Sequence, residues 1–255
     1  MLAAGIVSGF ADAPVRRDRA YYESRGEVVW EVPTDEKLIA LTFDDGPNAR
    51  TTPQILDLLQ QYEATATFFV VGNRIDRYAE LIKREAAEGH EVANHTYNHT
   101  FFTGQISADK LAREIESTKS KIEEVAGQSC DWFRPPGGIF NEAVLKAARR
   151  SGYTIVLWSW HQDTKDWRSP GIYAIANRVL KHARNGDIVL MHDHVHGSTQ
   201  TVEALKIILP ELKKRGFRLV TVTELMKYRK YAEASPFGSK HDEPPKKDKL
   251  LFPTG

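Results

Sequence analysis

The apolar run Leu38–Phe43 ends on two adjacent carboxylates, Asp44 and Asp45, followed by Gly46 and Pro47. Neighbouring carboxylates repel, so such a pair is best tolerated beside a cation or a basic group. Their side chains diverge, which lets one hold a metal while the other faces a water. An acidic turn is the plainer reading, because Asp-Gly-Pro is ordinary turn chemistry. Further along, Asn94-His95-Thr96-Tyr97-Asn98-His99 follows the short run Glu91–Ala93. Imidazoles at positions 95 and 99 fall on one face of a helical turn, a spacing that suits a shared zinc or similar divalent ion. No Glu follows His95, which excludes the metalloprotease pattern H-E-x-x-H. Solvated surface histidines are the alternative. One carboxylate and two imidazoles make a three-ligand set with positions left open for water, as in a catalytic centre.

Three further polar clusters carry matching chemistry. Arg134-Pro135-Pro136-Gly137-Gly138 is a rigid loop whose backbone N–H groups can approach a substrate and whose Arg134 can hold a carboxylate. Taken alone, it is a stiff turn. His161-Gln162-Asp163-Thr164-Lys165-Asp166-Trp167 adds two carboxylates and an aromatic. His192-Asp193-His194-Val195-His196 offers an imidazole to donate or accept a proton, or else a second metal site or a solvated loop.

Each cluster follows a strand candidate. The candidates are Leu38–Phe43, Thr67–Val71, Glu91–Ala93, Asp131–Phe133, Thr154–Trp160, Asp187–Met191 and Arg218–Val222. Amphipathic helices are expected between them at Pro53–Tyr62, Tyr78–Glu88, Ala108–Val125, Glu142–Arg150, Ile172–Ala183 and Val202–Arg215. Thr52 before Pro53 and Ser107 read as N-caps. Gly89, Gly127, Gly152 and Gly216 stand where left-handed C-caps are wanted. Such alternation implies an α/β fold with parallel strands and crossover helices. Periodicity does not decide between a barrel and an open wound sheet, but both place their chemistry at the C-terminal ends of the strands.

Composition narrows the class. The chain has 255 residues, 41% hydrophobic, enough for one large domain or two small ones without disulfide staples. With 35 Lys plus Arg against 34 Asp plus Glu, it lacks the basic surplus of a nucleic-acid binder. The single Cys130 excludes an internal disulfide and any multi-cysteine metal site, and reads as buried packing. No apolar run reaches the ~20 residues a bilayer requires. Residues Leu2–Phe10 are small and apolar and precede Ala11-Asp12-Ala13, an A-x-A pattern without a basic region before it. This is read as the remnant of a secretion signal or anchor, with a plain apolar N-terminus as the alternative. Ser235–Gly255, with four prolines among mixed charges, reads as a flexible tail.

Taken together, Thr42-Phe43-Asp44-Asp45-Gly46-Pro47, His95-x-x-x-His99, Arg134-Pro-Pro-x-Gly138, Asp163-x-x-Asp166-Trp167 and Leu190-x-His192 resemble the NodB-like polysaccharide deacetylases, carbohydrate esterase family 4. The resemblance implies a distorted, incomplete (β/α) barrel of about seven parallel strands. It also divides the chain into an N-terminal segment 1–36, a catalytic domain 37–230 and a tail 231–255. It implies that Asp45, His95 and His99 hold a divalent metal, usually Zn2+, with Co2+, Ni2+ and Mn2+ as alternatives. Asp44 would be the general base and His192 the general acid. Arg134 would orient Asp44, Asp166 would orient His192, and the Gly137 backbone N–H would contact the oxyanion. Trp167, Leu190 and Pro136 would line the substrate pocket.

The implied activity is hydrolysis of N-acetyl groups on an N-acetylglucosamine polymer, peptidoglycan or chitin, with release of acetate. That polymer is the expected partner; no nucleic acid and no obligate protein partner are expected, and an extracytoplasmic location follows. An acetylxylan esterase is the second reading, and a non-catalytic glycan binder the third. Two departures from the family pattern stand out. Gly137 replaces a usual bulky aromatic, and the segment from Trp158 to Trp167 is long. Within it, His161 either belongs to an added sugar-stacking surface or packs under the loop. His194 and His196 match no family motif and read as loop residues.

Overall fold

A computed structural model of the chain describes residues 17–104 and 106–230. Eight strands form one sheet: β1 (Val28–Val29), β2 (Leu38–Asp44), β3 (Thr67–Val70), β4 (Glu91–Asn94), β5 (Trp132–Phe133), β6 (Thr154–Val156), β7 (Asp187–His192) and β8 (Arg218–Val220). Every pairing is parallel, in the order β1-β6-β5-β4-β3-β2-β7, with β8 beside the first half of β2. Short helices are α1 (Arg19–Ser24), α3 (Gly72–Ile75) and α9 (Val222–Met226). The longer ones are α2 (Thr52–Gln61), α4 (Ala79–Ala87), α5 (Ala108–Ala126), α6 (Glu142–Arg150), α7 (Ile172–His182) and α8 (Gln200–Lys214). None is long and apolar enough to cross a membrane.

The strands are apolar on both faces because helices cover one side and the barrel interior the other. All residues of β2 are buried, and Phe43 stacks on Phe68 of β3 with ring centroids 5.1 Å apart. The principal core packs Ile55, Leu56 and Leu59 of α2 and Leu205, Ile208 and Leu209 of α8 against Leu41, Phe43 and Val189. Truncating one of these to alanine costs about 2–5 kcal/mol.

The barrel is incomplete because β1 and β7 do not pair with each other. The chain leaving β6 spans that gap with its own backbone: Leu157 N–H donates to the Val29 carbonyl at 2.8 Å and Ser159 N–H to Ile188 at 3.0 Å. An isolated parallel bridge, Asp163 with Leu190, follows. The strand expected at Thr154–Trp160 therefore stops at Val156, since beyond it the segment runs across the sheet edge and turns at Trp160–Gln162. The sheet also reaches back to Val28, upstream of position 37, because Val28 and Val29 pair with Ile155 and Val156.

Helix ends follow local chemistry. The Ser107 hydroxyl accepts from Lys110 N–H, and Gly127 closes α5 at φ 64°. Thr52 is not a cap. It lies inside α2, where its hydroxyl accepts from Asn48 N–H and donates to the Asp193 carboxylate. The signal or anchor expected at residues 1–13 and the tail 231–255 lie outside the described residues.

Candidate active site

The five motif clusters converge at one end of the barrel, where β2, β4, β5 and β7 terminate. Asp44 is the last residue of β2 and lies in register with His192, the last of β7. Its carboxylate accepts from Arg134 Nη1 at 2.6 Å. Arg134 is fully buried, with Nε donating to the Val156 carbonyl, Nη2 to the Leu157 carbonyl and Nη1 also to Thr42 Oγ1. The guanidinium lies 4.0 Å from the centroid of the Phe69 ring. A buried ion pair is tolerated only with its remaining donors satisfied. Here each guanidinium nitrogen has an acceptor, so Asp44 is held rigidly on one oxygen while the other, Oδ2, points toward His95 Nε2 at 3.8 Å.

Asp45 turns the other way, at φ 75°, a left-handed conformation that swings its carboxylate toward the histidine loop. His95 and His99 are not on a helical turn. They sit on an irregular loop in which Thr96 and His99 themselves have left-handed φ of 69° and 53°. The loop is pinned by outside partners: Asn94 Oδ1 accepts from Thr96 N–H, Gly72 N–H donates to the Thr96 carbonyl, and Glu114 accepts from both Asn98 N–H and its amide. His95 Nδ1 lies 2.7 Å from the Arg134 carbonyl, which can only accept, so in the neutral ring the proton sits on Nδ1 and Nε2 keeps its lone pair.

Asp45 Oδ1 is the oxygen that faces these rings, 3.0 Å from His99 Nε2 and 3.3 Å from His95 Nε2. It is buried and has no hydrogen-bond donor among the described residues. Asp45 Oδ1 and the two Nε2 atoms lie within 4.8 Å of one another, and the buried Asp45 Oδ1 among them lacks a donor that a cation at this point would replace. Asp45, His95 and His99 fit a divalent metal, and the N2O donor set suits zinc and its first-row neighbours.

On the far wall, His192 Nδ1 donates to Asp166 Oδ1 at 2.7 Å. Asp166 also accepts from His192 N–H, Trp167 N–H and the Thr201 hydroxyl, so it is fixed by four donors. Burial would lower the imidazole, but the Asp166 bond and charge, reinforced by Asp44 and Asp45, push it up to about 9. Its Nε2 thus carries a proton at neutral pH.

These groups enclose a cavity of about 390 Å³ lined by Asp44, Asp45, His95, His99, Gly137, His192, Trp167, Leu190 and Asp163, together with Phe101 and Trp158. Arg134 and Asp166 lie behind the wall and act on the residues that line it. Pro136, expected in the pocket, does not line it. It is buried in the short turn that presents Gly137. Phe101 and Thr201 escaped the sequence reading, which named Thr42 and Trp158 without giving them a role; Thr201 lies 35 residues from Asp166 and no spacing signals the contact.

His161 stands apart from the cavity and bonds Asp187 at 2.9 Å, near the start of β7. It packs under the crossing segment rather than joining a stacking surface. His194 bonds the Asn48 amide at 2.8 Å. Cys130 is half-buried beside β5 and lies outside the cavity, and burial pushes its thiol well up, the setting of a packing residue.

With this geometry in view, comparison with known proteins identifies the class. Residues 31–156 match the family model described as polysaccharide deacetylase. A peptidoglycan-N-acetylglucosamine deacetylase of Bacillus cereus is 52% identical over 211 residues, covering 83% of this chain and 98% of the relative. A crystal structure of a peptidoglycan N-acetylglucosamine deacetylase superposes with a TM-score of 0.76 at 34% identity, covering 82% of this chain and 98% of the other. A family 4 acetyl xylan esterase from Clostridium thermocellum, solved with a cobalt ion, gives a TM-score of 0.68 at 36% identity, covering 75% and 91%. The chain belongs to the polysaccharide deacetylase family, carbohydrate esterase family 4. Metal dependence is general in that family, and the described triad is where this chain would meet it.

Proposed function

We propose that the chain hydrolyses N-acetyl groups on N-acetylglucosamine units of a polysaccharide, with peptidoglycan as the leading polymer and chitin oligomers next, releasing acetate. One observation carries the reading. The Asp45–His95–His99 triad, with its unpartnered Asp45 oxygen, shares a cavity with the rigidly held carboxylate of Asp44 and with the His192 imidazole, whose pKa Asp166 pushes up to about 9. The B. cereus relative and the superposed deacetylase structure, both named for peptidoglycan N-acetylglucosamine, support the choice of polymer.

Zn2+ is the metal best matched to two imidazoles and a carboxylate, and when bound it supplies Lewis acidity to a water and to the acetyl carbonyl. Asp44 takes the proton of the attacking water, with the Arg134 hydrogen bond keeping the carboxylate aimed. The Gly137 N–H donates to the oxygen that becomes negative as the carbonyl carbon turns tetrahedral. His192 then delivers its Nε2 proton to the leaving amine, which an amide requires because an unprotonated amine is a poor leaving group. Asp166 holds that ring in orientation and in its charged form. Leu190 and Trp167 give the acetyl methyl an apolar seat. A wall polymer places the work outside the cytoplasm, so the chain is read as secreted or surface-associated.

Acetylxylan is the second substrate, favoured by the esterase structure that shares the fold. A non-catalytic glycan binder is disfavoured because Asp44, Asp45, His95, His99, Arg134, Asp166 and His192 are all retained. Acetate release measured side by side on peptidoglycan, chitooligosaccharide and acetylxylan, after chelation and after zinc is restored, tests the reading. Zinc-dependent release from a glucosamine polymer is expected. Release from acetylxylan alone would move the chain to the esterases.

A further inference from the structure

One aromatic in the cavity wall has no part in the chemistry just described. Gly137 has φ 65°, and the space its side chain would take is filled from another segment: a Cβ there would meet Phe101 Cε1 at 3.0 Å and Cδ1 at 3.4 Å. The Phe101 ring stands edge-on to His99, centroids 5.1 Å apart and planes at 87°. It lines the cavity yet remains 50% exposed. Its neighbour Phe102 is 3% exposed and packs in the core with Phe133 and Leu111. The loop therefore buries one phenylalanine and offers the other to the cavity, at the hydrophobic cost of leaving a large ring wet. Trp167, also 50% exposed, and Trp158 line the same cavity. A pyranose has a polar rim and an apolar C–H face, and an exposed aromatic ring is the surface that desolvates such a face.

We propose that Phe101 is a saccharide-binding residue of this site: its exposed ring stacks on a pyranose of the bound polymer, and position 137 is glycine so that the ring can lie there. The proposal rests on the deacetylase reading for its ligand class. Phe101 supplies no proton, metal ligand or hydrogen bond, so its effect falls first on affinity for an oligomer. A side chain at position 137 would displace the ring by contact, which makes Gly137 and Phe101 a matched pair.

The test uses the full chain loaded with zinc, with Phe101→Ala and Phe101→Trp. Binding of the N-acetylglucosamine tetramer is measured by calorimetry in the Asp44→Asn background, where substrate is not consumed. In the unaltered background, zinc content, acetate release and hydrolysis of 4-nitrophenyl acetate, which has no sugar, are followed. Phe101→Ala is expected to weaken tetramer binding about tenfold and to raise KM with little change in kcat. Zinc content should hold, any fall in 4-nitrophenyl acetate hydrolysis should be much smaller than the fall in tetramer kcat/KM, and Phe101→Trp should retain binding. Unchanged tetramer binding in Phe101→Ala overturns the proposal. So does equal loss of zinc and of 4-nitrophenyl acetate hydrolysis, which would make the ring a prop for His99, and so does absence of binding without either substitution. Tetramer that binds through Phe101 but yields no acetate sustains the proposal and sinks the deacetylase reading instead.

Discussion

Among the described residues, two regions bring imidazole and carboxylate groups within reach of a single ion. Asp45, His95 and His99 do so at the C-terminal ends of the strands, and Glu31, His161 and Asp187 do so near the start of β7. That second group lies roughly 16 Å along the strand from His192. Residue types and spacing hardly separate them; their hydrogen bonds do. In the second group Asp187 accepts from His161 Nε2 at 2.9 Å, from Gln162 Nε2 at 2.7 Å and from Arg184 N–H at 2.8 Å, while Glu31 pairs with Arg19 at 2.8 Å. Every carboxylate there has protein donors, so a cation would have to displace them. In the first group Asp45 Oδ1 has none. Proximity makes a cluster, and an unmet demand for positive charge makes a metal site.

The largest effect that sharpens this contrast comes from the first group. Asp45→Ala should abolish zinc binding and lower acetate release by about three orders of magnitude. Asp187→Ala should leave zinc stoichiometry unchanged, measured by elemental analysis, and cost about 1–3 kcal/mol of stability in denaturant titration from the donors it strands. Zinc lost from Asp187→Ala and kept by Asp45→Ala would invert the comparison.

Next in size is Asp44→Asn. Turnover should fall about 10²–10⁴-fold with zinc still bound, because the substitution removes a proton acceptor and no ligand. Persistent turnover would mean that Asp44 is not the base.

A smaller and pH-dependent effect should follow Asp166→Asn. The working imidazole must be protonated, and its folded value is raised to about 9 principally by Asp166, against burial that lowers it. Activity therefore declines as pH rises through that value, and loss of Asp166 should bring the alkaline decline to lower pH. A pH–kcat profile that does not move would remove Asp166 from its role.

Smallest is a stability effect away from both clusters. Glu85 on α4 is fully buried with neither oxygen hydrogen-bonded among the described residues, and burial, then the nearby Asp193 charge, raises it well above the ordinary value. Above pH ~4.5 the unfolded chain releases a proton that the folded chain retains, so stability falls as pH rises. Glu85→Gln should leave stability at pH 4 nearly unchanged and add about 1–3 kcal/mol at pH 8. Parallel stability–pH curves for the two proteins would contradict this.

Much of the fold was legible because most strands are short apolar runs, five of them followed by a polar cluster, and each long helix repeats its apolar face. Cap residues Ser107 and Gly127 marked their ends through local backbone chemistry alone. What escaped was non-local. The β1 strand is two valines whose identity as a strand depends on pairing with β6, 127 residues away. The early end of β6 arises from the barrel gap, which no local pattern encodes. In the site, Asp44, Asp45 and the two histidines announced themselves by type and spacing. The geometry behind them did not: His95 and His99 converge through left-handed turns pinned by Glu114 and Asn94, not through a helix. Phe101 was invisible because its meaning comes from the glycine it covers.

The central claim is that one cation, held by Asp45, His95 and His99, is required for hydrolysis. The most direct test strips the chain with chelator, adds zinc in steps, and follows acetate release from N-acetylglucosamine oligomers alongside Asp45→Ala. The account predicts no release from the stripped chain, full recovery at one equivalent and no recovery in Asp45→Ala. Undiminished release from the stripped chain, or equal recovery in Asp45→Ala, would contradict it.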